Sequence, residues 1–122
     1  EGERALPHLE YVLDEDPRYA QGEARLFYAK ALLNSGDNGR AQVEFSRAAS
    51  HFNLPEASVR TAQFLVDEGQ LEEAQRTLVE MLQSVGELHS AQRTMHKRWI
   101  KTAAEDLAKI QRQIKEKNSQ TS

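Results

Sequence analysis

The chain has 122 residues, about the length of one domain, and its 39 % hydrophobic and 29 % charged residues are an ordinary mixture for a helix-rich globular protein. It contains no cysteine, which excludes disulfides and cysteine-ligated zinc sites. The net charge of −3 is unevenly distributed, because residues 1–92 carry 8 Lys and Arg against 16 Asp and Glu, whereas residues 93–122 carry 8 against 3. The body is therefore acidic and the C-terminal segment basic.

Apolar residues recur at intervals of three and four along the chain, which predicts helices and no strand. The predicted helices span residues 2–14, 17–34, 38–51, 54–67, 70–84 and 89–116, followed by a disordered tail at 118–122. Asp16 with Pro17 is typical of an N-cap followed by proline at the first helical position. Asn53 with Glu56 has the spacing of a capping box. The chain is predicted to be all-α.

Two segments of the chain repeat at an interval of 33 residues, with Gly36 aligned on Gly69. The same shift places Ala29, Leu32, Ala41 and Phe45 over Ala62, Leu65, Ala74 and Leu78. Small residues let paired helices approach closely, and glycine ends the first helix in the left-handed conformation without a Cβ penalty. Each segment is therefore predicted to form a helix, a glycine turn and a second helix.

This pattern resembles the tetratricopeptide repeat, whose period is about 34 residues. The resemblance implies a single domain over residues 1–117, in which antiparallel helical hairpins stack as a short right-handed α-solenoid. Its parts are a half repeat at 1–16, repeats at 22–54 and 55–87, and a long C-terminal capping helix at 89–116. Arg25 and Ser58 depart from the pattern, because they stand where the family has an aromatic residue.

Residues 51–82, followed by residues 95–107, are also similar to the C-terminal repeat region of certain bacterial membrane-anchored tetratricopeptide-repeat proteins. Those proteins carry a short hydrophobic membrane segment ahead of their repeats. This resemblance implies a bacterial protein, cytoplasmic or tethered to the inner membrane. Contact with a membrane would then be made through a segment outside this chain.

The residues suited to catalysis or metal binding do not form a productive pattern. His89 and His96 are seven residues apart, whereas two metal ligands on one helix are usually three or four residues apart. His8 and His51 are isolated in the sequence. All four histidines are therefore interpreted as solvent-facing. The acidic clusters fall at helix ends, where carboxylates suit the helix dipole. We therefore expect a protein that is not an enzyme and uses no cofactor.

The family resemblance assigns partner binding to a concave groove lined by the first helices of successive repeats. The groove residues would be Glu23, Leu26, Lys30, Leu33, Asn34, Glu56, Val59, Gln63, Val66 and Asp67. Three acids against one lysine predict a peptide or helix of another protein with apolar anchors and basic or neutral character. Leu26 and Leu33 have an alternative role, which is packing against a helix upstream of this chain.

Two alternative functions stay open. The first is contact with nucleic acid or an anionic membrane through a basic face formed by Arg93, Lys97, Arg98 and Lys101. The acidic body would repel nucleic acid, however. The same residues are also explained as the solvated face of the helix that closes the repeat array. The other alternative is self-association through residues 1–14, which would expose an apolar patch. That patch would comprise Leu6, Leu9, Val12 and Leu13. Trp99 is predicted to lie buried near Leu78 and Leu82 as part of the capping helix.

Overall fold

A computed structural model describes residues 2–15, 22–52 and 54–121 of the chain. Within these ranges the chain forms helices and no strand, so the all-α prediction is confirmed. The helices are α1 Gly2–Glu15, α2 Glu23–Asn34, α3 Asn38–Phe52, α4 Pro55–Asp67, α5 Leu71–Val85, α6 Ser90–Met95 and α7 Lys97–Thr121. The chain divides into two compact units, residues 1–57 and 58–122.

The turn between α2 and α3 is closed by a Schellman motif. Gly36 has a φ of 89° and its N–H donates to the Leu33 carbonyl (3.1 Å). The N–H of Asp37 donates to the Leu32 carbonyl (2.9 Å). These two bonds satisfy carbonyls that the end of a helix would otherwise leave unpaired, and the left-handed backbone that they need favours glycine.

The turn between α4 and α5 has the same geometry 33 residues later. Gly69 has a φ of 79°, and its N–H donates to the Val66 carbonyl (2.9 Å). The N–H of Gln70 donates to the Leu65 carbonyl (2.8 Å). The predicted alignment of the two segments is therefore confirmed at the level of individual backbone hydrogen bonds.

In the first unit, α2 packs against both α1 and α3. The helices approach through small side chains, and larger apolar side chains fill the adjoining space. The buried apolar residues of these helices are Leu13, Ala24, Tyr28, Ala29, Ala31, Leu32, Ala41, Phe45 and Ala48. Phe45 and Leu32 are fully buried, and each such side chain stabilises the fold by about 1.5–3 kcal/mol.

The second unit is built around one apolar cluster shared by α4, α5 and α7. Its buried members are Val59, Ala62, Ala74, Leu78, Met81, Ala103 and Ile110. Trp99, Leu107 and Ile114 are partly buried and pack against this cluster. The last helix therefore contributes apolar side chains to this core from Trp99 to Ile114.

The prediction of one continuous helix over residues 89–116 is wrong. The helix is interrupted at His96, whose φ of −101° and ψ of 12° separate α6 from α7. Met95, the last residue of α6, is 70 % exposed and does not join the core. No proline or glycine lies at the break, and the contacts of the described residues do not explain it.

The remaining predicted bounds differ mainly at chain ends and caps. α7 continues to Thr121, so residues 118–121, predicted to be disordered, are helical. α2 begins at Glu23, directly after Gly22, whose φ of 94° is left-handed. Residues 17–21 of the predicted helix lie outside the described residues. The predicted caps at Asp16 and Asn53 lie outside the described residues. The single domain at 1–117 and the repeat bounds stay predictions.

Candidate functional site

A groove lies between α4 and α7 in the second unit. We call it the α4–α7 groove, and its volume is about 200 Å³. Its lining residues are Ala62, Gln63, Val66, Asp67, Asp106, Lys109, Ile110 and Gln113. Three of these, Gln63, Val66 and Asp67, belong to the set predicted from the sequence, so the structure brings part of that set together.

Helical spacing explains why these side chains converge. On α7, Asp106, Ile110 and Gln113 recur at intervals of four and three residues, which places them on one side of the helix. Ile110 and Ala62 are almost completely buried, whereas Gln63 is exposed. The groove therefore has an apolar floor and a polar rim, an arrangement that resembles the core and rim of protein–protein interfaces.

The rim of the α4–α7 groove is negatively charged. Asp67 and Asp106 contribute two carboxylates, and Lys109 contributes one ammonium group. None of the three forms an ion pair with another residue of the described ranges. Both carboxylates are therefore available to a cationic group of a partner.

Five of the other predicted groove residues lie on α2. Leu26 and Leu33 are half-buried, whereas Glu23 and Asn34 are exposed. These four stay predictions as partner contacts. One further residue of α2, Phe27, is 57 % exposed and did not appear in the prediction. Its position four residues after Glu23 and seven before Asn34 is the signal that would have placed it on the same face.

Lys30 and Glu56, both predicted to contact a partner, instead contact each other. The Lys30 Nζ lies 2.8 Å from Glu56 Oε2, and the Glu56 side chain is only 11 % exposed. Lys30 is the one lysine of the predicted groove, and its charge is paired with Glu56 in this structure. A partner segment would meet the two side chains as a neutralised pair.

Val59 is a correction to the predicted groove. The residue is fully buried and belongs to the core cluster of the second unit. It lies three residues before Ala62, another member of that cluster, and so shares its helix face. A bound partner cannot contact the Val59 side chain in this structure.

A second cavity, of about 750 Å³, lies in the first unit between α1, α2 and α3. On one side of it, the Tyr28 hydroxyl donates to Glu10 Oε1 (3.3 Å), and the Arg40 guanidinium donates to the same carboxylate (3.2 Å) and to the Tyr28 oxygen. Burial raises the pKa of the Tyr28 hydroxyl, and the hydrogen bond to Glu10 raises the pKa of Arg40. Tyr28 therefore stays a neutral donor at physiological pH.

On the other side of this cavity, Glu44 accepts from two arginines. Arg25 of α2 donates to Glu44 Oε2, and Arg47 donates to Glu44 Oε1 (2.8 Å). The side chains of Arg25 and Glu44 are 12 % and 9 % exposed. Arg25 stands where the family has an aromatic residue, and here it forms a largely buried ion pair with Glu44. Because Glu10 pairs with Arg40, and Glu44 pairs with Arg25 and Arg47, we interpret this network as contacts that hold the helices together.

The predicted basic face is exposed at all four positions, Arg93, Lys97, Arg98 and Lys101. Of the histidines, His51 and His89 are exposed and His96 is half-buried. The side chain of His8 lies outside the described residues. Within the described ranges, no group of three or more His, Asp or Glu side chains is arranged to hold a metal ion. Nor does any helix of those ranges combine the length and apolarity needed to cross a membrane.

The apolar patch predicted to drive self-association is altered by the fold. Leu13 is 5 % exposed, on a helix that packs against α2, so it is not available to a second copy. Leu6 is half-buried. Leu9 and Val12 lie among the side chains that the structure does not describe. Self-association through residues 1–14 stays a prediction, without the contribution of Leu13.

A protein-family model described as "Tetratricopeptide repeat" matches residues 1–54. No curated protein and no solved structure is detectably similar to the chain. The match supports the predicted family assignment. The predicted helical-repeat fold with its long C-terminal helix is confirmed. Repeats of this family generally mediate protein–protein interaction and generally form non-catalytic scaffolds.

Proposed function

We propose that this tetratricopeptide-repeat chain is a scaffold that binds a segment of another protein in the α4–α7 groove. The observation that carries the proposal is the convergence of Gln63, Val66 and Asp67 with α7 residues around an apolar floor. The family's general role in protein–protein interaction supports the class of function. The groove itself supports the chemistry of the partner.

The size of the groove favours a side-chain anchor. Its volume of about 200 Å³ is below the roughly 300–1,000 Å³ typical of pockets for small molecules. An amphipathic helix or an extended peptide needs only to place one or two apolar side chains in such a groove. Ala62, Val66 and Ile110 would contact the anchor, because they supply the apolar part of the lining.

The charge of the rim selects the residues beside the anchor. Asp67 and Asp106 would attract Lys or Arg of the partner, and Lys109 would limit how many basic residues the groove accepts. Hydrogen bonds between a guanidinium and a carboxylate are about twice as strong as neutral ones. The preferred segment therefore carries an apolar residue flanked by basic residues.

Selection from a random peptide library on the parent protein tests this preference. We expect enrichment of peptides with an aliphatic or aromatic residue next to Lys or Arg. The double variant Gln63→Lys/Asp67→Lys should lose these peptides, because it reverses the charge of the rim. Both residues are exposed, so the variant should keep its helical circular dichroism, and its free energy of unfolding should change by less than about 0.5 kcal/mol.

The matched control is Glu80→Lys/Gln83→Lys, which makes the same change of charge at exposed positions of α5. Neither residue lines the groove. The control should bind the selected peptides as the parent does. Equal loss of binding in both variants would mean that overall charge and not the groove governs binding, and the proposal would be abandoned.

A further inference from the structure

The region from Leu88 to Ala104 contains no acidic residue, whereas Arg93, Lys97, Arg98 and Lys101 lie within it. All four side chains are exposed, and none forms an ion pair with a residue of the described ranges. The arginines of the first unit differ, because Arg25, Arg40 and Arg47 all pair with carboxylates. The positive charge of the basic face is therefore uncompensated by neighbours.

The basic face also contains features that position a ligand. The Arg98 guanidinium lies 5.1 Å from the centre of the Trp99 ring, and the Arg60 guanidinium lies 5.3 Å from it. Stacking on an aromatic ring orients a guanidinium and lowers the entropy that it loses when it binds a carboxylate. Two residues before Lys97 in the chain, Met95 is 70 % exposed and offers an adaptable apolar contact.

We infer that the basic face, with Met95, is a second docking surface, and that its partner is an acidic peptide segment of another protein. Carboxylates of that segment would pair with Lys97, Arg98 and Lys101, which are neighbours at intervals of three and four residues on α7. An apolar side chain of the segment would contact Met95. This surface is separate from the α4–α7 groove in its residues and in the sign of its charge.

The small extent of the basic face favours a short acidic peptide as its partner over an extended anionic surface such as a membrane or a nucleic acid. The chain has a net charge of −3, with 16 Asp and Glu against 8 Lys and Arg in residues 1–92, so the molecule as a whole does not attract a large polyanion. A short peptide meets only the basic face, because charges more than a Debye length of about 8 Å away are largely screened. The acidic body therefore penalises large polyanions and leaves a short acidic peptide unaffected.

A fluorescein-labelled peptide that combines several glutamates with leucine tests this inference by fluorescence anisotropy. We expect saturable binding by the parent protein, weakened at least about tenfold in Arg98→Gln/Lys101→Gln, since hydrogen bonds to charged groups are the ones lost. Trp99 is the only tryptophan of the chain, so its emission should change on binding and report a local event. The matched control Arg112→Gln/Lys115→Gln removes the same charge from exposed positions of the same helix and should bind as the parent does.

Three outcomes would overturn the inference. The first is equal binding by the two variants, or no binding of the peptide by the parent. The second is co-sedimentation of the parent with phosphatidylserine vesicles that Arg98→Gln/Lys101→Gln abolishes, which would assign the face to a membrane. The third is concentration-dependent self-association that the same variant abolishes, which would assign it to a second copy. Loss of peptide selection at the α4–α7 groove has no bearing on these results, because the two surfaces share no residue.

Discussion

Gly22 precedes α2 with a φ of 94°, a conformation that residues with a Cβ rarely adopt. A Cβ atom at this position would also overlap the ring of Phe52 at the end of α3. Gly39, near the start of α3, differs in both respects. It has no left-handed φ, and a Cβ atom there would have no neighbour within 4 Å.

We expect Gly22→Ala to destabilise the protein by more than about 1–2 kcal/mol, the cost of the left-handed backbone alone, because the overlap with Phe52 adds to it. Gly39→Ala should instead stabilise it by about 0.5–1 kcal/mol, since alanine is the better helix former. Urea denaturation of both variants measures the difference. Similar midpoints for the two would show that neither the conformation nor the close approach at Gly22 matters.

Single residues were predictable where the local backbone decides their role. Gly36 and Gly69 were identified from the sequence because the end of a helix needs a left-handed residue at that position. Val59 and Gln63 show the opposite case. They are four residues apart on α4, yet Val59 is fully buried and Gln63 is exposed. The difference depends on which other helices lie nearby, and one sequence does not contain that information.

At the scale of helices, the ion pair between Arg25 and Glu44 joins α2 to α3. We expect Glu44→Ala to destabilise the protein by about 3–5 kcal/mol, because Arg25 would be left as a buried charge without its partner. Arg47→Ala is the matched control. The Arg47 side chain is 55 % exposed, so its pair with Glu44 should contribute at most about 1 kcal/mol. Thermal unfolding followed by circular dichroism tests the ranking, which a larger loss in the Arg47 variant would contradict.

The contribution of Trp99 to stability tests how strongly α7 stabilises the second unit, because Trp99 packs against its core cluster. Truncating a fully buried tryptophan costs about 3–5 kcal/mol, and because Trp99 is only partly buried we expect about 2 kcal/mol for Trp99→Ala. Met95→Ala should change stability by less than about 0.5 kcal/mol, since Met95 is exposed. Chemical denaturation compares the two, and partial quenching of the native Trp99 emission by iodide gives an independent check. Equal stability of the two variants would mean that α7 does not depend on Trp99.

The helices themselves were largely predictable, because their amphipathic spacing and glycine turns are local. The ends of α1, α3, α4 and α5 lie within one residue of their predicted positions. The break at His96 was not predictable, because neither proline nor glycine marks it. The ion pair of Arg25 with Glu44 was also missed, since its partners are 19 residues apart and lie on different helices.

At the scale of the whole molecule, the division into an acidic body and a basic C-terminal segment has a structural counterpart within residues 58–122. The α4–α7 groove displays Asp67 and Asp106, and the basic face displays cations that form no ion pair within the described residues. Opposite signs on two surfaces permit one scaffold to discriminate between two segments, because each surface repels the segment that suits the other. The charge asymmetry was visible in the sequence. Its separation into surfaces required the fold.

The most direct test of the central claim is the nuclear magnetic resonance spectrum of the ¹⁵N-labelled protein during titration with a peptide selected on the α4–α7 groove. We predict that the largest amide shifts fall in residues 62–67 and 106–113, which line the groove, and that Gln63→Lys/Asp67→Lys removes them. Residues at the exposed positions of α5, such as Glu80 and Gln83, should not shift. The largest shifts in α5, or in α1 to α3, would contradict the assignment of partner binding to this groove.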